Sequence, residues 1–199
     1  MTTLQPVRPA TGEATTTTRG RTHMDPIAEY SSLITSEYHL FQVYDPEAGL
    51  PHEARDADES PKRSEDGVIS VYVRNMVEII QAEETFRAKV ELRVWESQPA
   101  VDSEDSTPDL PFRISVPSKE LVLNSVAGGA QAAWTLPAGG EYDGRVSHTG
   151  RESARSLAAR IWEELDDDYT FEHRRRLTRP LDGTEKYTID LWPAVPTPP

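Results

Sequence analysis

Across residues 86–95 the chain alternates without a break. Phe86, Ala88, Val90, Leu92 and Val94 take every second position, and Arg87, Lys89, Glu91 and Arg93 fill the places between. A period of two held over that length fits a strand with one buried face and one wetted face. Other segments repeat the signal. Residues 38–44 are rich in aromatic and β-branched side chains and stop at Asp45-Pro46, which reads as a strand followed by a turn. Gly67 opens a run over 68–73, and a second apolar piece over 76–82 makes either a hairpin or one long bent strand. Phe112, Ile114 and Val116 alternate between Pro111 and Pro117, and 121–123 adds a short strand.

Residues 133–136 and 141–146 flank Pro137-Ala138-Gly139-Gly140, which predicts a hairpin. Residues 170–177 and 186–192 predict a last pair of strands around Pro180-Leu181-Asp182-Gly183. Short strands at this spacing favour an antiparallel β sandwich over a parallel sheet, which needs a helix between successive strands. The expected count is seven or eight strands. One helix interrupts the pattern near the C-terminus, over about 150–166. Thr149 and Glu152 have capping-box spacing, and Ala154, Leu157, Ala158, Ile161, Trp162 and Leu165 recur at helical intervals, giving an amphipathic helix packed on the sheet.

The ends are of different composition. Residues 1–33 hold four consecutive threonines at 15–18 and no sustained periodicity, as in a disordered tail, with Asp25-Pro26 able to start a short helical turn near 27–31. The mainly β domain is expected over 34–192, followed by a Pro-rich tail over 193–199. No cysteine is present, so no disulfide, thiolate metal site or cysteine nucleophile contributes, and packing alone must hold the fold. The first residues lack an apolar run of signal-peptide length, and no stretch approaches the roughly 20 apolar residues that span a bilayer. A cytoplasmic location without membrane attachment is the expectation.

Net charge is −13, and it is unevenly spread. Acids concentrate in 45–66, in 102–109 and in 163–168, which together exceed the whole net charge and leave the strands between them nearly neutral. So acidic a surface repels nucleic acid and membrane phosphates and attracts basic proteins. The candidate partner-binding residues are therefore Asp56, Asp58, Glu59, Asp102, Glu104, Asp105, Glu163, Glu164, Asp166, Asp167 and Asp168. Solvated loops that keep the protein soluble are the plainer account of the same acids. His173, Arg174, Arg175, Arg176 and Arg179 form the one basic concentration. Read as a strand, they alternate sides and protect an exposed sheet edge, or else pair with 163–168 or meet an acidic ligand.

No catalytic residues are expected. His23, His39, His52, His148 and His173 are scattered, with His39 and His148 in or beside strands, where a satisfied structural histidine is the ordinary role. There is no phosphate-binding loop, no dinucleotide fingerprint and no calcium-loop spacing, so no cofactor and no metal are expected.

The order of the pieces resembles the competence protein J-like inhibitors of DNA-entry nuclease. The resemblance runs through Ser36-Glu37-Tyr38-His39-Leu40-Phe41-Gln42-Val43-Tyr44-Asp45, Asp66-Gly67-Val68-Ile69-Ser70, Leu136-Pro137-Ala138-Gly139-Gly140-Glu141-Tyr142 and residues 187–192, with large gaps over 36–192. It implies an intracellular β sandwich without enzymatic activity that binds and blocks a nuclease. The helix of 149–166 and the long acidic loop of 45–66 depart from that compact pattern. Two other classes fit the same sequence: a structural or assembly protein such as a virion component, and a hydrolase whose site assembles from distant positions.

Overall fold

The computed structural model describes residues 25–48, 60–72, 76–100, 110–165 and 169–195. They form two facing sheets. The first runs β1 (Ala28–Ile34), β6 (Ala88–Val94), β11 (Lys186–Pro193), β10 (Gly140–Thr149), β7 (Leu110–Val116). The second runs β3 (Lys62–Arg63), β4 (Ile69–Tyr72), β5 (Met76–Ile80), β2 (Leu40–Tyr44), β8 (Glu120–Ser125), β9 (Gly129–Thr135). Two short helices follow β10, α1 (Arg151–Glu164) and α2 (Phe171–Thr178), with a 3₁₀ turn at Arg179–Leu181. Among the described residues no helix is long and apolar enough to cross a membrane.

The alternation of β6 is realised in full: Ala88, Val90, Leu92 and Val94 are buried, and Lys89, Glu91 and Arg93 face outward. They meet Ile34 of β1, Tyr187, Ile189 and Leu191 of β11, and across the sandwich Phe41, Ile79, Leu121 and Trp134, in one continuous apolar cluster. Each large aliphatic side chain removed from water in this way contributes about 1.5–3 kcal/mol, so the cluster is the main source of stability in a chain without crosslinks. The edges of β1 and β9 approach each other, with Tyr30 stacked on Trp134 at 6.3 Å between ring centroids and its hydroxyl donating to the Thr135 carbonyl.

The mainly β sandwich is as expected, with several corrections to its parts. The strands number eleven among the described residues, and one neighbouring pair, β6 with β11, is parallel. Residues 133–136 and 141–146 do not form a hairpin: β9 pairs with β8, β10 pairs with β7 and β11, and Pro137–Gly140 carries the chain from one sheet to the other. Turn residues mark a reversal but not the sheet that the next strand joins. Residues 28–34 are a strand, where a helical turn and a tail were expected. β1 pairs with β6 over its whole length, and this tertiary pairing overrides the local Asp-Pro signal. At the other end β11 reaches Pro193, and the Ala194 amide donates to the Glu141 carbonyl at 2.9 Å.

The helical region differs most. Residues 170–177 are not a strand: Phe171–Thr178 is α2, started by Thr170, whose hydroxyl accepts from the His173 amide at 3.2 Å. The capping box of α1 does not form. Gly150, at φ 77°, occupies the N-cap and no side chain caps the helix. Ala154 and Ala158 pack on Phe86, with Leu157 and Leu181 beside them, so α1 is seated on a small second core, while Trp162 stays partly exposed.

Candidate functional site

The helices sit at the end of the sandwich where β1 and β10 finish and β6 and β11 begin, since Ile34 pairs with Ala88 and Thr149 with Lys186. A buried polar network fixes this end. The Glu185 carboxylate, fully buried, accepts from the Ala82 amide at 2.7 Å, from Arg151 Nη1 at 3.1 Å and from the Tyr187 hydroxyl. The Tyr187 hydroxyl oxygen also lies 3.0 Å from the Ile80 carbonyl oxygen, so its single proton is shared between two acceptors and ties β11 of one sheet to β5 of the other. Burial, reinforced by the adjacent Glu185 charge, pushes the Tyr187 phenol far up, so it stays a donor at any ordinary pH.

His148 Nε2 lies 2.8 Å from Asp66 Oδ2, joining β10 to the β3–β4 turn. Burial pushes the Asp66 carboxyl up, but hydrogen bonds from Ser64, the Val68 amide and His148 outweigh it and hold the carboxyl below the usual range. His148 is therefore a buried, bonded structural residue, as expected. His39 is not. It is exposed, at φ 59° beside Tyr38 at φ 58°, in the turn that leads into β2, and its amide donates to the Glu84 carboxylate.

Above this base lies an exposed aromatic face. Trp162 is 43% exposed, Tyr169 37% and Phe171 72%. The first two rings meet edge to face with centroids 6.1 Å apart, and the Arg174 guanidinium lies 4.9 Å from the Trp162 centroid. Of the acids proposed from sequence, Glu163 and Glu164 follow Trp162 in the last turn of α1 and are both exposed, but at about 100° per residue they turn away from it, Glu164 to nearly the opposite side of the helix. Asp56, Asp58, Glu59, Asp102, Glu104, Asp105, Asp166, Asp167 and Asp168 lie outside the described residues. The described flanks of the acidic segments do not share one location. Ala100, before 102–109, accepts from Arg145 on the outer face of the first sheet, and Lys62–Arg63, inside 45–66, are the edge strand of the second. Asp45 is fully buried, with its carboxylate accepting from the Ser118 amide at 2.9 Å, so it serves the fold.

The basic run is organised in a way sequence reading missed. On a helix, Phe171, Arg174, Arg175 and Thr178 fall on one side, at intervals of three and four residues. That side faces residues 84–87 across a cavity of about 600 Å³. Thr85 and Phe86 are buried at its base, and Phe171, Arg174, Arg175 and Arg179 line it. The signal for the helix was available in Thr170 ahead of Glu172, with Arg175 and Arg176 in the last turn, a capped and dipole-matched pattern.

Fold and site together define a two-sheet β sandwich with a C-terminal helical pair that presents aromatic, acidic and arginine side chains at one end. The crystal structure of ComJ, the inhibitor of the DNA-degrading activity of NucA from Bacillus subtilis, is similar to it in fold, at 14% identity over 82% of this chain and 95% of that one, with a TM-score of 0.45. The structure of crocagin biosynthetic gene J is similar as well, at 16% identity over 85% of this chain and 100% of that one, with a TM-score of 0.47. No protein-family model and no curated protein matches the sequence.

Proposed function

We propose that this chain is a non-enzymatic binding module that blocks a basic protein partner, and that it meets that partner with the exposed face of α1 and α2 and the acidic run between them. One observation carries the reading: Trp162 and Tyr169 are exposed side by side outside the core, and the exposed Glu163 and Glu164 belong to the same last turn of α1. Tyr, Trp and Arg dominate the energetic centres of protein interfaces, and acids around such a centre steer a basic partner toward it. Asp166, Asp167 and Asp168 continue the acidic run in sequence. Asp56, Asp58, Glu59, Asp102, Glu104 and Asp105 contribute to the net charge of −13 and so to long-range attraction. A nuclease, with a cleft built for phosphates, is the partner class that the sequence resemblance implies. Nucleic acid is not a direct ligand in this reading.

The test is a pull-down from the native cell at low salt, followed by kinetics with the purified partner. Trp162→Ala should weaken binding by about 2 kcal/mol, roughly thirtyfold, mainly through faster dissociation. Changing Glu163 and Glu164 to Gln should slow association at low salt, and the difference should fade as the Debye length falls below about 10 Å. If the partner is a nuclease, adding the chain should stop DNA cleavage. Recovery of the same partner with unchanged affinity by both variants would remove the proposed face.

A further inference from the structure

The cavity under α2 has a composition opposite to that of the chain around it. In a protein of net charge −13, it is lined by Arg87, Arg174, Arg175 and Arg179, against two acids, Glu84 and Asp182. Both acids are already engaged. Asp182 is bound by Arg87, with Nη2 to Oδ2 at 2.6 Å and the Arg87 amide to Oδ1 at 2.9 Å, and Glu84 accepts from the His39 amide. Arg174 is stacked on Trp162. Among the described residues Arg175 and Arg179 form no ion pair, although they stand one helical turn apart and line the same cavity. The helix dipole favours basic residues at this end of α2, but like charges at that spacing repel, so the dipole alone does not call for two of them over one cleft.

The remaining lining is Thr35, Thr85 and Thr178 with two phenylalanine rings. Phe86 is buried at the base, and Phe171 is an exposed ring at the rim. The volume of about 600 Å³ is within the range of small-molecule sites, in a cleft that stays open to solvent on one side. Guanidinium forks match the oxygens of phosphate and carboxylate with paired, charge-assisted hydrogen bonds. Two such forks supply more donors than one carboxylate can accept, and a phosphate group, with three terminal oxygens, uses them better.

We propose that the cleft between α2 and residues 84–87 binds a small phosphomonoester with an aromatic body, its phosphate held by Arg175 and Arg179 and its ring packed on Phe171. The site needs no protein partner, and the binding role assigned above needs no small ligand, so either can fail alone.

The experiment is a titration of the full chain with phenyl phosphate, inorganic phosphate and benzyl alcohol, read by amide and arginine Nε chemical shifts. Phenyl phosphate should give saturable shifts in 84–87 and 171–182, inorganic phosphate weaker ones in the same residues, and benzyl alcohol none. The double variant Arg175→Gln/Arg179→Gln should lose at least about tenfold in affinity for phenyl phosphate, with its urea midpoint unchanged because both side chains are exposed. Phe171→Ala should reduce phenyl phosphate to the level of inorganic phosphate without changing the latter. The proposal is overturned by shifts that do not saturate, by shifts that map elsewhere, or by unchanged affinity in the double variant. Equal affinity for phenyl and inorganic phosphate in the wild type would overturn the aromatic part.

Discussion

Gly150 carries the chain from β10 into α1, and replacing it with alanine tests how tightly the helical end is tied to the sandwich. Two costs separate. The first is conformational: at φ 77° an L side chain is strained by about 1 kcal/mol. The second is steric, because a Cβ at this position would stand 1.9 Å from the Thr184 carbonyl oxygen, a backbone atom that no rotamer change can move. Relief requires the Thr184–Glu185 backbone to shift, and Glu185 holds the Ala82 amide at 2.7 Å and Arg151 at 3.1 Å. Loosening a buried, charge-assisted bond costs about 1.5–3 kcal/mol, so the total is about 2.5–4 kcal/mol.

Gly67 at φ 70° and Gly129 at φ 72° provide the control, since a Cβ there meets nothing within 4 Å and only the conformational cost applies. Urea unfolding followed by tryptophan fluorescence resolves the two cases. With a slope of about 2 kcal/mol/M, Gly67→Ala and Gly129→Ala should lower the midpoint by about 0.5 M and Gly150→Ala by about 1.2–2 M. Equal shifts at all three positions would show that the backbone yields freely, and would refute the claim that this joint is rigid.

Asp190 is buried on the outer side of β11 and accepts from Arg93 at 2.7 and 3.0 Å, from Trp95 Nε1 at 2.8 Å and from Arg145 at 3.1 Å. Asp190→Ala should cost about 3–5 kcal/mol in urea unfolding by leaving buried positive charge without its acceptor, and a loss below about 1 kcal/mol would show the network to be dispensable. Burial also pushes the Glu91 carboxyl up, but Lys186 and Lys89, each 2.7 Å away, hold it below the usual range, as the partners of Asp66 do for that residue. Groups with lowered folded values contribute stability above their unfolded values near pH 4 and lose it as pH falls through the folded ones, so the acid limb of midpoint against pH should flatten in Asp66→Asn/Glu91→Gln. An unchanged limb would assign acid sensitivity elsewhere. Glu163 and Glu164 stand in the last turn of α1, which has no basic residue, so they oppose the helix dipole. Changing both to Gln should raise stability by a few tenths of a kcal/mol while slowing partner association, and a loss of stability would show that they serve the fold instead.

What the sequence disclosed followed from how local each signal was. The period of two in β6 survives because every second side chain meets the core, and the apolar stripe of Ala154, Leu157, Ala158 and Ile161 sits on one side of α1 for the same reason. Sheet membership was not legible, because Pro137–Gly140 reverses the chain identically whether the next strand pairs with the last or crosses to the other layer. The arginine run reads as a strand because charged residues carry no hydrophobic period, and the helix is marked only by the Thr170 cap and by the order of charges, Glu172 ahead of Arg175 and Arg176. That error had a chemical consequence. As a strand, the run sends Arg174 and Arg175 to opposite faces; as a helix it gathers them with Phe171 over one cleft. The acids were legible as a total but not as a surface, since net charge sums over loops whose anchors lie on the outer face of one sheet, the edge of the other and the end of α1. In the proposed reading the run that follows Trp162 in sequence is the one joined to exposed rings, which would put specificity at the helical end and leave the other acids to act at a distance.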